Sequence, residues 1–307
     1  MITYVDFSLF ESPAKVLVNT VNTVGVMGKG IAKEFKRIYP EMFTDYQQLC
    51  EREQLGLGQL WLYKTPHKWI LNFPTKKHWR SPSKPEYIEA GLQKFVQIYQ
   101  EARVTSISFP LLGCGNGELD WKTQVKPLMK QYLERLPIEI FVHLFQASSS
   151  IVPEHLNPVA TKKWLRSQPQ SLAFAEVWDD LVAVIGTKRQ FVTLDEEEHF
   201  TVKIFYDDDG GGIQINEGPE AFLLHKEQLL DLWQQIRDVG LCIPQIMPSG
   251  LDRHSNYILP LLAELPYLRQ IHQADKDTEL NKNAIGLLFQ PKEQPEASAS
   301  SKQLLLV

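Results

Sequence analysis

Lys76, Lys77, His78 and Arg80 bring four basic or titratable side chains into five residues, inside Asn72-Phe73-Pro74-Thr75-Lys76-Lys77-His78-Trp79-Arg80-Ser81-Pro82-Ser83. Two adjacent ammonium groups disfavour each other's charge, and partial burial disfavours it further. A lysine so placed is suited to act as a nucleophile or proton carrier near neutral pH. The same cluster is equally suited to hold phosphates, and the residues alone leave both readings open. Trp79 reads either as a platform for a base or as a core aromatic. His78 reads as a structural group or a nucleic-acid contact rather than a base.

Two glycine-bearing stretches accompany this cluster. In the first, Val16, Leu17 and Val18 are a strand-like apolar run. Asn19, Thr20, Asn22 and Thr23 follow at its end, then Gly25, Gly28 and Gly30, and then the helical period of Ile31, Ala32, Phe35 and Ile38. Strand, polar turn, glycine loop and helix form a cradle for a phosphate or diphosphate: glycines let backbone N–H groups approach oxygens, and the helix N-terminus adds partial positive charge. Asn19 and Asn22 suit ribose hydroxyls. The spacing is not that of a Walker loop, because Gly25 and Gly28 are too close and Gly30 follows Lys29. Nor is it a Rossmann fingerprint, because Lys33 stands in place of the third glycine. The second stretch runs from Ser106 to Gly117, a strand entering a loop with Gly113, Gly115 and Gly117. Asp120-Trp121 then opens a helix, which argues against a hairpin. Cys114 has no histidine near it in sequence and reads as a small buried filler rather than a nucleophile.

These stretches resemble the macrodomain family, the ADP-ribose-binding module. Val18 to Ala32 looks like the first macrodomain signature, and Ser106 to Gly117 looks like the second, which usually wraps the diphosphate and distal ribose. Asn-Thr-Val-Asn followed by Val-Met-Gly-Lys-Gly is similar to the DarG branch, antitoxins that remove ADP-ribose from DNA. The 72–83 stretch is similar in form to the segment of that branch that holds its catalytic lysine. The resemblance covers residues 1–146. It implies a three-layer α/β/α macrodomain with a mixed sheet and a glycosidase-type hydrolase that needs no metal or cofactor. The implied substrate is ADP-ribosylated single-stranded DNA modified at thymidine, and the product is ADP-ribose.

Position in the motifs implies that Lys76 is catalytic. It also implies that Asn19, Asn22, Val26, Met27, Gly28, Lys29 and Gly30, with Gly113, Cys114, Gly115, Asn116 and Gly117, bind ADP-ribose. Lys77, Trp79 and Arg80 are then left to contact DNA. Macrodomains usually carry Gly-Asp or Gly-Asn after the first strand to read adenine; this chain has Asp6-Phe7-Ser8, so either Asp6 or Ser8 takes that role. Two other readings stand beside the DNA hydrolase: a module that binds ADP-ribose without turnover, and a hydrolase acting on ADP-ribosylated protein.

The elements that position these residues alternate between strand and helix through Phe145, so ligand loops fall at strand ends. The polar run Ala147–Ser150 is the expected boundary. Residues 151–290 read as a smaller acidic α+β domain, with short helical pieces among Pro153, Pro158 and Pro169, a helix over 172–185, strands at 190–194, 200–206 and 213–215, a helix over 222–239 and a last strand at 284–289. Residues 291–307 read as a disordered tail. Residues 1–147 carry 18 Lys and Arg against 14 Asp and Glu, net +4; the remainder carries 14 against 23, net −9. A basic half tolerates nucleic acid and an acidic half repels it. The acidic half fits a basic partner, and the resemblance implies a cognate DarT-like toxin, with the acidic face imitating DNA. Asp207-Asp208-Asp209 reads as a solvated hairpin end, because the spacing and final glutamate of a calcium loop are missing. The 307 residues contain no apolar run near the roughly 20 residues that span a membrane and no signal core after Met1, so a cytoplasmic location is expected. Cys50, Cys114 and Cys242 are too far apart for a metal site or a disulfide framework.

Overall fold

The strands β1 (Ile2–Val5), β2 (Val16–Asn22), β3 (Trp61–Lys64), β4 (Trp69–Lys76), β5 (Ser106–Phe109) and β6 (Glu139–His143) form a sheet in the order 1-6-5-2-4-3. All neighbours are parallel except β3, which runs antiparallel to β4 at the edge. The computed structural model describes residues 2–144, 153–208, 210–217, 220–274 and 280–290.

Parallel strands covered on both faces must be apolar on both, and β2 and β4 are buried nearly throughout. On one face Val16, Val18, Leu71 and Phe73 pack with Ile88, Leu92 and Phe95 of helix α3 (Pro85–Ile98) and Met129 and Leu133 of helix α4 (Lys126–Leu133). On the other, Leu17, Val21 and Ile70 pack with Phe35 of α1 (Gly30–Ile38) and Met42, Phe43 and Tyr46 of α2 (Pro40–Glu51). Odd and even positions of one strand thus feed two helical layers, which is the three-layer arrangement with a mixed sheet expected from the sequence.

Strand β4 runs three residues beyond the 69–73 expected from its apolar run. Proline lacks the ladder donor, yet Pro74 stays opposite Val21, and a register shift after Val21 then sets Lys76 opposite Asn22. The reactive-lysine candidate is therefore a paired strand residue rather than a loop residue.

The chain divides into two compact units, residues 1–165 with 172–177, and residues 166–171 with 178–307. The boundary expected at 147–150 falls outside the described residues, and the first unit takes in more chain than expected. Helix α5 (Pro158–Arg166) crosses a stretch read as short helical pieces, and α6 (Phe174–Thr187) opens within the first unit. In the second unit β7 (Phe191–Val192), β8 (His199–Phe205), β9 (Gly212–Glu217) and β10 (Glu220–His225) form an antiparallel sheet. The helix expected over 222–239 begins only at Lys226, as α7 (Lys226–Val239). Phe222 and Leu224 instead pair with Ile215 and Ile213, and His225 and Gln228 close a reciprocal cap at the helix start. A three-stranded sheet of β11 (Leu241–Cys242), β13 (Leu280–Phe289) and β12 (Leu268–Ala274), with α8 (Ser255–Ala263), completes the unit; β12 was not expected. The tail expected to be disordered, 291–307, lies outside the described residues. Among the described residues no helix is long and apolar enough to cross a membrane.

Candidate active site

The first glycine loop is held in shape by Asn22. Its Nδ2 donates to Val26 O at 2.6 Å, and its Oδ1 accepts from Val24 N at 3.1 Å and Val26 N at 3.2 Å. Tyr46 Oη donates to Asn22 O at 2.8 Å from beneath, and Gln47 Nε2 donates to Gly25 O at 3.1 Å. Both ends of the Asn22 amide thus serve the shape of the loop. Asn19 is not at the cradle surface. It is fully buried in the sheet, its Nδ2 donating to Asn72 Oδ1 at 2.9 Å across β2 and β4. Val26 and Met27 are buried anchors, Lys29 caps α1 in an extended conformation, and α1 begins at Gly30.

The second loop meets the first here. A Cβ on Gly30, whose φ is +57°, would lie 2.9 Å from Asn116 Nδ2. Gly113 (φ +68°) and Gly117 pack on Ser83; a Cβ on Gly117 would lie 2.2 Å from Ser83 Oγ and 2.4 Å from Gly113 O, so no side chain fits. Ser83 N also donates to Gly117 O at 3.0 Å, tying this loop to the end of the 72–83 stretch. A Cβ on Gly115 would meet open space. Cys114 donates from Sγ to Leu112 O at 3.4 Å, and burial pushes its thiol up to about 12. A thiol in that state is a poor nucleophile.

Lys76 closes β4 beside this cradle. Its side chain is 6% exposed, and among the described residues Nζ has no hydrogen-bond partner. Burial lowers its pKa, Glu154 and Glu118 act against that, and Lys29 acts with it. Burial likewise raises the carboxyl of Glu154, opposed by Lys76, Lys29 and His155. Glu154 is buried, and its Oε1 lies 3.2 Å from where a Cβ on Gly28 would stand, with the Trp164 ring 3.0 Å from the same point. His155 Nε2 lies 2.7 Å from Glu118 Oε2. The segment after residue 152 therefore lies over the first glycine loop and places an acid in the lysine's field.

The rest of the basic cluster separates from Lys76. Lys77 is exposed and its carbonyl accepts from Thr23 Oγ1 at 2.7 Å. Trp79 is fully buried and donates from Nε1 to Glu176 Oε1 at 2.9 Å, so the expected stacking of a DNA base on Trp79 is corrected: its rings have no free face. Arg80 sets Nη2 2.6 Å from both oxygens of Glu176, itself 1% exposed, so the expected DNA contact at Arg80 becomes first of all a buried ion pair. His78 Nδ1 accepts from Arg80 N at 3.0 Å. Of the adenine candidates, Asp6 is exposed just after β1, whereas Ser8 caps a short 3-10 turn, accepting from Phe10 N at 3.4 Å.

Sequence reasoning missed Glu154, Trp164 and Glu176. All three follow the expected domain boundary, and the available signal was Trp164, a large apolar residue in a stretch read as a connector.

A family model described as Macro domain matches residues 18–127. A DNA ADP-ribosyl glycohydrolase of Thermus aquaticus is 47% identical over 148 residues, which are 47% of this chain and 41% of that protein. A DNA ADP-ribosyl transferase-DNA ADP-ribosyl glycohydrolase fusion protein of Thermosipho africanus is 35% identical over 162 residues, 47% of this chain and 42% of that protein. The human ADP-ribose glycohydrolase OARD1 is 30% identical over 145 residues, 46% of this chain but 90% of that protein. The chain belongs to the macrodomain family. Both glycine loops and Lys76 fall inside the matched macrodomain region, whereas Glu154 and Glu176 lie beyond it. The chain spans about two fifths of the length of the Thermus relative.

Proposed function

We propose that this macrodomain is a glycohydrolase that removes ADP-ribose from DNA, acting on thymidine-linked ADP-ribose in single strands. The observation that carries the reading is Lys76 Nζ, buried beside the cradle and without an acceptor among the described residues. A module that only bound ADP-ribose would have no use for an amine whose charge burial disfavours. A neutral amine there is suited to attack the anomeric carbon of the distal ribose; the base then leaves, and water releases ADP-ribose. The glycine loops and the α1 N-terminus hold the diphosphate. Similarity to DNA ADP-ribosyl glycohydrolases over nearly half the chain supports DNA as the substrate, and exposed Lys77 is the contact proposed for its backbone.

Incubating the full chain with ADP-ribosylated single-stranded DNA and, in parallel, ADP-ribosylated protein tests this. Release from DNA is expected. Lys76→Ala should abolish release while ADP-ribose affinity stays within about tenfold, roughly 1.4 kcal/mol. Release from protein alone would refute the DNA assignment, and full turnover by Lys76→Ala would refute the catalytic one.

The second unit is proposed to bind a basic, DNA-modifying transferase in the cytoplasm. Glu196, Glu197 and Glu198 between β7 and β8, and Asp208 after β8, are exposed. Matching charge accelerates association and makes it salt-sensitive. Reversing these four to lysine should slow association with the cognate DarT-like toxin; an unchanged rate at low salt would refute it.

A further inference from the structure

The cradle is carried by two loops rich in glycine, and glycine backbone is costly to hold still. Each loop has support of its own. Asn22 and Gln47 brace the first, and Leu119 N, donating to Gly113 O at 3.0 Å, helps close the second. A diphosphate gripped by backbone N–H groups from both loops needs a further constraint, one that sets the first loop against the second.

Residues 154–165 are built to supply it. Glu154–Leu156 is a short 3-10 turn, and Asn157 caps the helix that follows, accepting from Ala160 N at 3.2 Å with Pro158 as the first helical residue. Thr161 Oγ1 donates back to Glu154 O at 3.5 Å, and Thr161 and Leu165, one turn apart, are the buried side of α5. Turn and helix therefore act as one piece, and that piece reaches both loops. Toward the first, Glu154 Oε1 and the Trp164 ring lie 3.2 Å and 3.0 Å from where a Cβ on Gly28 would stand, about as close as glycine allows. Toward the second, His155 Nε2 stands 2.7 Å from Glu118 Oε2. A carboxylate can only accept, so the imidazole N–H is the donor. Glu118 follows Gly117 with a φ of +63°, a left-handed conformation that a residue with a side chain holds only when its surroundings fix it.

We infer that His155 is a positioning residue for ADP-ribose: it grips Glu118 while its neighbours Glu154 and Trp164 rest on Gly28, and so fixes the gap between the two glycine loops. The role rests on the reading that these loops hold ADP-ribose. It adds that the gap is set from outside the region matched to the family, since Glu118 lies within residues 18–127 and His155 lies beyond them. The loops are then ordered before the ligand arrives, and binding is spared that cost.

A double-mutant cycle of His155→Ala and Glu118→Ala in the full chain, read as ADP-ribose affinity by calorimetry, tests this. Each single variant should weaken binding about three- to tenfold, the range expected when the ligand itself must order a loop. The double variant should bind no worse than either single one, because both act through one contact. His155→Gln, which keeps a donor for the carboxylate, should restore most of the affinity. On ADP-ribosylated single-stranded DNA the loss should fall on KM, with kcat changed by less than about twofold; partial unfolding would instead lower the apparent kcat and leave KM alone. If His155→Ala does not fold, the other side of the contact decides, because Glu118 is 42% exposed: weaker binding by Glu118→Ala that Glu118→Gln restores supports the role, and equal binding by both variants and wild type overturns it. Losses that add in the double variant overturn it, as does affinity that rises because the segment obstructed the cradle. A wild type that binds ADP-ribose no differently from its variants overturns the role of His155 alone. A wild type that binds no ADP-ribose overturns that role together with the reading beneath it.

Discussion

Replacing Lys76 by methionine should remove the proposed release of ADP-ribose and, with Glu154 neutralised too, leave the fold more stable than wild type. Methionine keeps an unbranched chain of similar volume and discards the charge. Lys76 is 6% exposed and its Nζ has no hydrogen-bond partner among the described residues; a buried unsatisfied polar group costs about 1–3 kcal/mol. The sign with pH follows from its lowered pKa. Between the folded pKa and the ordinary value of 10.5 the unfolded chain binds more protons, so wild-type stability rises with pH through that window. The penalty is full below the folded pKa, and the gain from Lys76→Met should shrink as pH rises toward 10.

The raised carboxyl of Glu154 works the other way: its favourable share is complete below 4.5 and is lost as pH rises through its folded value. Lys76→Met also removes a counter-charge from Glu154, which offsets part of the gain. Lys76→Met with Glu154→Gln removes both titrations, and a net gain of about 1 kcal/mol corresponds to roughly 2–4 °C for a unit of this size. Thermal unfolding followed by circular dichroism at pH 7 and pH 10 measures it. A double variant less stable than wild type at pH 7 would refute the claim that this pair is held at a cost to the fold.

Glu176→Ala should destabilise the first unit by about 3–5 kcal/mol, the cost of leaving a buried charge uncompensated, since Trp79 Nε1 and Arg80 both rely on Glu176; urea unfolding read by tryptophan fluorescence would show it, and a midpoint unmoved would count against the clamp. Asn22→Ala should weaken ADP-ribose binding through the loop rather than through a lost ligand contact, costing about 1–3 kcal/mol of stability even without ligand, and calorimetry with and without ADP-ribose separates the two. Cys114→Ser should leave turnover within about twofold, below the ~1.4 kcal/mol that a tenfold change represents, and wild-type Cys114 should resist alkylation at pH 8 because its thiol titrates at about 12; rapid labelling would contradict that burial.

The macrodomain half was legible because its signals are local. The apolar runs of β2 and β5, the glycines that follow them and the amphipathic period of α3 each fit within a short window, and one element ordered after another leaves few arrangements. The boundary of β4 was not legible, because Pro74 reads as a strand end unless its partner Val21 is known. The roles within the site were less legible still. Whether Asn22 faces a ligand or its own loop, and whether Trp79 is a platform or a core residue, depends on Tyr46 and on Glu176, partners 24 and 97 positions away. In the second half, Phe222–Leu224 has an apolar run too short to distinguish helix from strand, and pairing with β9 decided it.

The carboxylate that clamps Arg80 stands 96 residues downstream of it. On a ribosome adding about 5–20 residues per second, the sheet, both glycine loops and Lys76 are made roughly two to seven seconds before Glu176. During that interval Trp79 and Arg80 lack their acceptor. Synthesis order therefore gives the nascent chain a time in which its cradle is assembled and the clamp on the 72–83 stretch is not.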